Sequence, residues 1–379
     1  MKISFLLKIS ILVFFFCFLI IVPLLNAQKI KIKTEKGIPV VYNPKEPAPP
    51  PGIKVKLILE EELCIGDEEE EYLFSERSDF VSTAIDSNWN IFTLDPKLVE
   101  IRKFSSKGEL IKIFGKKGQG PKEMDRPSNM MITPQNELMF IDRGNSRLTF
   151  YSLDGEYLRY IPLLKWMPGR IKIDSKGNIV TDTRRVIGEE GEIGKIFYEI
   201  KSFNQKLEPL FTYISIDTTD EYRELRNERK YRFGPDRYWQ LTKEDHVILG
   251  ETKNYEFSII NSEGKIIRRI KKEFDPTEIS KDDEEQLSSF IRQNYTIAKY
   301  HNGFYYFTID EEGRIFARTW ERTKDKRGYY YDVFDSEGRY ITKIPINAFI
   351  KRWVKGKLLT AEETDDGFPI IKRYKVIWK

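Results

Sequence analysis

A chain of 379 residues, 40% apolar and 13% aromatic, can bury a substantial core, and a repeat fold can use that length as one domain, so global disorder is excluded. The 63 Lys and Arg against 59 Asp and Glu leave a net charge of only +4, and two of those cations, Lys2 and Lys8, sit in a leader. No global field is left to recruit nucleic acid or an anionic membrane.

The first 27 residues differ from all that follows. Lys2 and Lys8 precede an apolar run from Ile9 to Val22, and Leu25-Asn26-Ala27 offers a small residue where a signal peptidase would cut before Gln28. The segment 1–27 is therefore expected to be a cleaved signal peptide, with the mature chain periplasmic or extracellular and not stably inserted in a membrane. An uncleaved N-terminal anchor is the alternative, because Ile9 to Leu25 is almost long enough to cross a bilayer. Cys17 lies inside the apolar run outside any lipoprotein cleavage context, which leaves Cys64 as the only thiol of the mature chain. It has no internal partner and reads as an inert apolar filler.

Residues 28–53 carry Pro39, Pro44, Pro47 and Pro49 to Pro51 and read as a proline-rich linker, a semi-rigid spacer in its second half. Ile30 to Tyr42 carries a weak hairpin signal around Glu35-Lys36-Gly37, and folded structure is expected to begin near Lys54.

The remainder, 54–379, is a repeat counted from its turns. Inner strand pairs are joined at Ile85 to Ile91, Ile132 to Leu138, Ile173 to Ile179, Leu241 to Val247, Ile309 to Ile315 and Val354 to Leu358. Outer pairs turn at Ser105 to Gly108, Ser152 to Gly155, Asn261 to Gly264 and Asp335 to Gly338, where a polar side chain caps the turn and Gly takes the φ > 0 position. Asn204 to Leu207 occupies the same place without the Gly. The pattern predicts an all-β fold, a six-bladed β-propeller of four-stranded antiparallel blades. Its sixth blade ends at Tyr374 to Lys379 with no outer strand left, so Lys54 to Ile65 is expected to complete that blade and close the ring. Successive inner hairpins, measured at Ile91, Leu138, Ile179, Val247, Ile315 and Leu358, lie 47, 41, 68, 68 and 43 residues apart. The two long intervals require insertions. One, at 276–294, predicts a short helix with Ser280 as N-cap and Leu287, Phe290 and Ile291 as an apolar stripe packed on a blade. The other, Asp217 to Arg237, reads as a solvated lid or loop over one face.

Gly118-Gln119-Gly120-Pro121-Lys122-Glu123-Met124, Pro127, Asp142, Asn145, Arg147-Leu148 and Phe150 resemble the NHL repeat and its relatives among bacterial exported six-bladed propellers. Met124 and Leu148 depart from the family's Phe and Ile, and only this repeat is close. The resemblance implies the fold; family members include protein-binding and RNA-binding modules and a zinc-dependent lyase, so it implies no single activity.

Catalytic constellations are sparse. The two histidines, His246 and His301, are too few for the lyase's zinc chemistry and read as structural or solvated, and no nucleophile elbow accompanies them. No cofactor is expected; calcium held by carboxylates and Asn at the channel mouth is the exception that a metal-dependent hydrolase or lyase would require. The acidic stretches Glu60 to Glu62 and Asp67 to Glu71 lack the ligand spacing of a calcium loop and read as solvated, edge-protecting runs. The Arg- and Tyr-rich stretch from Tyr222 to Trp239 is diluted by Glu and Asp, and no nucleic acid partner is expected. In a propeller the loops leading into the innermost strands gather at one end of the channel. Here those loops carry Arg126, Trp166, Arg170, Arg232, Arg237, Trp239, Arg352 and Trp353, and arginines beside aromatic rings suit an anionic group of a protein, peptide, glycan or small ligand. The competing reading is that these side chains cover the mouth and pair with nearby carboxylates. The chain is thus expected to be a monomeric, non-enzymatic binding propeller, with the metal-dependent hydrolase or lyase as the alternative.

Overall fold

The computed structural model describes residues 29–66, 74, 81–163, 168–188, 194–227, 231–232, 236–285, 287 and 289–379. The expected signal peptide, the run Asp67 to Glu71 and Trp166 lie outside them.

Six antiparallel four-stranded blades form the ring. Blade 1 comprises Ser82–Ile85, Ile91–Asp95, Glu100–Phe104 and Leu110–Phe114, and blade 2 Pro127–Ile132, Glu137–Asp142, Arg147–Ser152 and Tyr157–Pro162. Blade 3 is Ile171–Ile173, Ile179–Ile187, Lys195–Phe203 and Pro209–Asp217; blade 4 is Arg237–Leu241, Val247–Glu251, Glu256–Ile260 and Ile266–Lys272. Blade 5 is Tyr306–Ile309, Ile315–Arg322, Tyr329–Phe334 and Tyr340–Ile346. Blade 6 takes Phe349–Val354, Lys357–Glu363 and Pro369–Trp378 from the C-terminal end and its outermost strand, Leu57–Ile65, from the N-terminal end. The sequence explains the layering. Second strands such as Ile91–Asp95 are buried on both faces and run nearly continuously apolar, whereas the outer strand Tyr157–Pro162 alternates between half-buried and exposed.

The core is distributed over six clusters, one at each seam between neighbouring blades. Phe92, Leu94 and Ile101 meet Leu138, Phe140 and Tyr151 between blades 1 and 2, and Val180 and Ile200 meet Trp239, Val247 and Leu249 between blades 3 and 4. The seam between blades 6 and 1 joins Ile65, Leu359 and Ile371 to Val81, Ile91 and Phe104, so the N-terminal strand belongs to the core as well as to the sheet.

All six inner hairpins and the outer turns form where the sequence places them. At Asn204 to Leu207 the turn closes without Gly: Leu207 N donates to Asn204 O (2.9 Å), and Leu207 itself takes φ 61°. The acidic run Glu60 to Glu62 is paired where the sequence reading left it solvated. It faces the basic strand across the closure, with Glu61 on Lys372 (2.9 Å), Glu62 on Lys357 and Arg373, and Glu60 on Lys375 (3.5 Å).

Three expectations are corrected. Ordered structure begins well before Lys54: Lys31–Glu35 and Ile38–Asn43 form a hairpin, and the second of these strands adds in parallel to the outer edge of blade 4. Val40 and Val41 are buried there, which gives the hairpin the packing face that its short sequence conceals. The helix expected at 276–294 is two short pieces, α2 (Lys281–Glu285) and α3 (Ser289–Asn294), following a helix α1 (Thr219–Asn227) in the other insertion. Ser280 caps α2 with Asp283, but the break destroys the expected stripe, and Phe290 is 64% exposed. The 217–237 insertion is more than a loop. Besides α1 it contributes Tyr231–Arg232, which pairs in parallel with Thr296–Ile297 and ties the two insertions together at one end of the ring.

Candidate functional site

Each blade's innermost strand is reached at the same end of the ring, here termed the mouth; the inner hairpins turn at the opposite end. The NHL-like residues shape one of the mouth loops. Fully buried Asp142 accepts from Arg147 Nε (2.9 Å), Asn145 Nδ2 (2.8 Å) and the amide of Asp125 (2.8 Å). Arg147 Nη2 in turn donates to the carbonyls of Gly120 (2.8 Å) and Glu123 (2.7 Å), so these side chains are spent on holding the 118–125 loop.

Four other cations converge at the mouth. Arg170 immediately precedes the inner strand of blade 3, on which Lys172 is the second residue; Arg352 lies on the inner strand of blade 6; and Arg318 pairs in register with Tyr306 at the start of the inner strand of blade 5. Blades 3 and 6 are diametrically opposed, yet the charge of Arg352 is felt at Lys172. Burial, then Arg352, then Arg170 push the Lys172 amine down to about 8. Burial likewise lowers the Arg352 guanidinium. None of the four forms an ion pair among the described residues, and the Nε atoms of Arg318 and Arg352 are buried without a hydrogen-bond partner. Arg352 has only a long contact to the Thr83 carbonyl (3.5 Å), and Arg170 Nη1 donates to the Arg237 carbonyl (3.1 Å).

Tyrosines line the same space. The Arg170 guanidinium lies 4.2 Å from the centroid of Tyr238, and Arg318 lies over Tyr306 (4.7 Å) and Tyr329 (4.4 Å). Burial first, then Asp236, raise the Tyr238 hydroxyl to about 12 against the opposing charges of Arg170 and Arg318, which places both cations around this ring. Asp182 accepts from the Arg170 amide (3.0 Å) and the Trp239 indole (3.1 Å). The arrangement is a cation-rich mouth with aromatic rings beside its guanidinium groups. It offers guanidinium forks and ring faces to an anion.

Of the expected site residues, Arg170 and Arg352 are in this cluster. Arg237 is not: Glu221 on α1 takes it in a bidentate pair (2.6 and 2.7 Å) with Glu251 behind. Trp239 is buried between blades 3 and 4, and Trp353 stacks on Phe316 (4.3 Å) in the seam of blades 5 and 6. Both aromatics are core. Arg126 is 76% exposed beside Asp125, and Arg232 is placed through its backbone pairing with Ile297. Lys172, Arg318 and Tyr306 are missed by sequence reasoning, and Tyr238 is noticed only as part of the Arg- and Tyr-rich stretch from Tyr222 to Trp239. For Lys172 the sequence signal was the alternation of Arg170 and Lys172 around an apolar Ile171.

Of the histidines, His301 adjoins the mouth cluster through Tyr305, whose ring lies 5.7 Å from the Arg318 guanidinium, whereas His246 lies at the hairpin end. His301 is stacked on Trp320 (4.7 Å), with Nδ1 bonded to Tyr305 Oη (2.6 Å) and Nε2 facing Asp283 (3.5 Å); burial lowers its pKa. His246 borders a cavity of about 710 Å³ between blades 4 and 5 at the hairpin end. Among the described residues no three His, Cys, Asp or Glu side chains group so as to hold a metal ion, and no helix is long and apolar enough to cross a membrane.

No family model matches the chain, and no curated protein matches it by sequence. Solved structures do. A protein from Bacteroides fragilis described as a candidate exported protein superposes with a TM-score of 0.55 at 13% identity, covering 90% of this chain and 99% of that one. A member of the DUF4221 family from Bacteroides vulgatus gives 0.51 at 12% identity, covering 86% and 99%. A virginiamycin B lyase from Staphylococcus aureus reaches 0.47 at 12% identity, covering 85% and 100%. At such identities the likeness shows the fold alone. The chain is a six-bladed β-propeller, similar in fold to these bacterial propellers.

Proposed function

We propose that this chain is an exported, non-enzymatic binding propeller that holds an anionic group of a small molecule, glycan, peptide or protein at the channel mouth. The observation that carries this reading is the convergence of Arg170, Lys172 and Arg352 from opposed blades with no ion-pair partner among the described residues. Like charges facing one another in a partly desolvated ring destabilise the empty site, and a bound anion would relieve that repulsion while accepting from the orphaned Nε atoms of Arg352 and Arg318. The same positive field repels a divalent cation, which favours binding over the metal-dependent hydrolase or lyase reading. The leader at 1–27 supports export to the periplasm or beyond, and the NHL-like spacing from Gly118 to Phe150 supports a relationship to repeat propellers that act as binding modules.

Calorimetry with matched acidic and neutral glycans and peptides tests the proposal. Acidic ligands are expected to bind the wild type and to lose at least about 10-fold in affinity, roughly 1.4 kcal/mol, in an Arg170→Glu, Arg352→Glu variant of unchanged melting cooperativity. Equal binding by the two proteins, or preference for neutral ligands alone, would remove the anion-binding reading while leaving the fold intact.

A further inference from the structure

We infer that the mouth is the inner end of a longer subsite that takes an oligosaccharide carrying one acidic residue, anion inward and neutral sugars outward; this rests on the mouth reading above. A cleft of about 620 Å³ opens between blades 5 and 6 at the mouth end, within the usual range for ligand sites, and Arg318, Tyr329, Asn347, Phe349 and Glu363 are among its lining residues.

Arg318 belongs to both spaces. Its charge acts on Tyr238 together with that of Arg170, and its side chain also forms part of the cleft wall. The aromatic surface is continuous between them. Phe349 stacks on Tyr306 (5.7 Å, 28°), Tyr306 carries Arg318, and Phe349 lies three residues before Arg352 on the same strand.

Farther out the lining changes character. Asn347 Nδ2 donates to Asp325 (2.6 Å), Arg327 pairs with Asp365 (2.8 Å), and Glu363 is exposed. These groups offer donors and acceptors in balanced charge, so the outer cleft suits a hydroxyl-rich neutral body and opposes a second anion. A sugar ring meets both demands. Its C–H face lies on a tyrosine or phenylalanine ring, and its neighbouring hydroxyls meet planar carboxylate, amide and guanidinium groups in two-point hydrogen bonds. A peptide is less well served. Strands Ile315–Arg322, Tyr329–Phe334 and Lys357–Glu363 bordering the cleft are each paired on both sides, so of the strands around it Phe349–Val354 alone offers strand addition an edge, the one that faces the channel.

Calorimetry of the mature protein would use glucuronic acid, xylo-oligosaccharides of two to four sugars bearing one glucuronic acid, the neutral oligosaccharides, and a tetrapeptide with a free carboxylate. Affinity should rise at least about 10-fold from glucuronic acid to the longest acidic oligosaccharide. An Asn347→Ala, Glu363→Ala variant, changed only at exposed positions, should lose most of that gain and bind glucuronic acid as the wild type does. Length-independent binding, a full gain retained by the variant, or tighter binding of the tetrapeptide would overturn the oligosaccharide inference while the mouth reading stands. A wild type that binds none of the acidic probes would overturn the mouth reading, and this inference with it.

Discussion

Lys172 links stability to binding. Its amine titrates near 8 in the folded chain against an ordinary 10.5, because burial and the Arg352 and Arg170 charges disfavour the ammonium. Below about pH 8 the group is charged in both folded and unfolded chains, and the cost of holding that charge is present in full. Between about 8 and 10.5 the folded chain has already shed the proton that the unfolded chain still holds, so this contribution to stability rises with pH. Anion affinity runs the other way and should fall as pH climbs through about 8. Lys172→Met should therefore raise the melting temperature at pH 7 by roughly 1–3 °C, while flattening the affinity change between about pH 7 and 9. Scanning calorimetry and titration would check the pair, and a lowered melting temperature would contradict the unpaired-cation account. Gly264 makes a purely conformational prediction. It sits at φ +75°, and an added Cβ would come within 3.1 Å of the Phe211 ring and 3.3 Å of the Tyr213 carbonyl. Gly264→Val should destabilise by about 1–2 kcal/mol, read from the denaturant midpoint. At this scale the sequence singled out Arg170, Arg352 and Arg237 alike and could not separate them, because partner choice is spatial: Glu221 pairs with Arg237.

The N-terminal hairpin shows how an element too short to stand alone becomes ordered by docking. Asn43 ends its second strand, is 2% exposed, and clips two blades together. Its Nδ2 donates to the carbonyls of Lys271 (3.2 Å) and Gly338 (2.9 Å), and its Oδ1 accepts from the amide of Tyr340 (2.7 Å). Asn43→Ala would leave a buried amide and carbonyl without partners and should cost about 1–3 kcal/mol, with faster hydrogen exchange at Tyr340 as the local readout. Unchanged exchange there would mean the clip is dispensable. The prolines that made this region read as a spacer do not conflict with the docking. Pro39 lies in the hairpin itself, opposite Thr34 on the solvent-side strand, while the blade 4 pairing runs from Val40 to Asn43. The 276–294 helix went the other way: its cap was legible at Ser280, but its packing face was not, since α2 and α3 together expose Phe290.

Closure governs the molecule as a whole. Leu57–Ile65 pairs with Pro369–Trp378, aligns Glu60 to Glu62 with the basic side chains of blade 6, and places Ile65 in the seam with blade 1. Opening the ring would expose two apolar sheet faces and an unpaired edge at once. Deletion of residues 54–65, with the N-terminal segment before them, should lower the melting temperature by roughly 10 °C or more, as expected when several kcal/mol are lost from a domain of this size. A truncated protein that melts like the full mature chain would show that the ring is held shut by other contacts.

What the sequence determined by itself was periodic and local. Inner hairpin turns recurring along the chain, with polar-to-Gly turns between the outer strands, set the number of blades, and the missing outer strand after Trp378 identified the partner that closes the last one. Turn chemistry depends on neighbours within a few residues, so it is legible without a structure. Only the tertiary structure decided which charges remain unpaired. Lys172 and Arg352 are 180 residues apart and confront each other across the channel because they stand on opposed blades, and Arg318 joins them from a second strand whose sequence marks it as ordinary sheet. Electrostatic environment is a property of distance and burial, and the fold sets both.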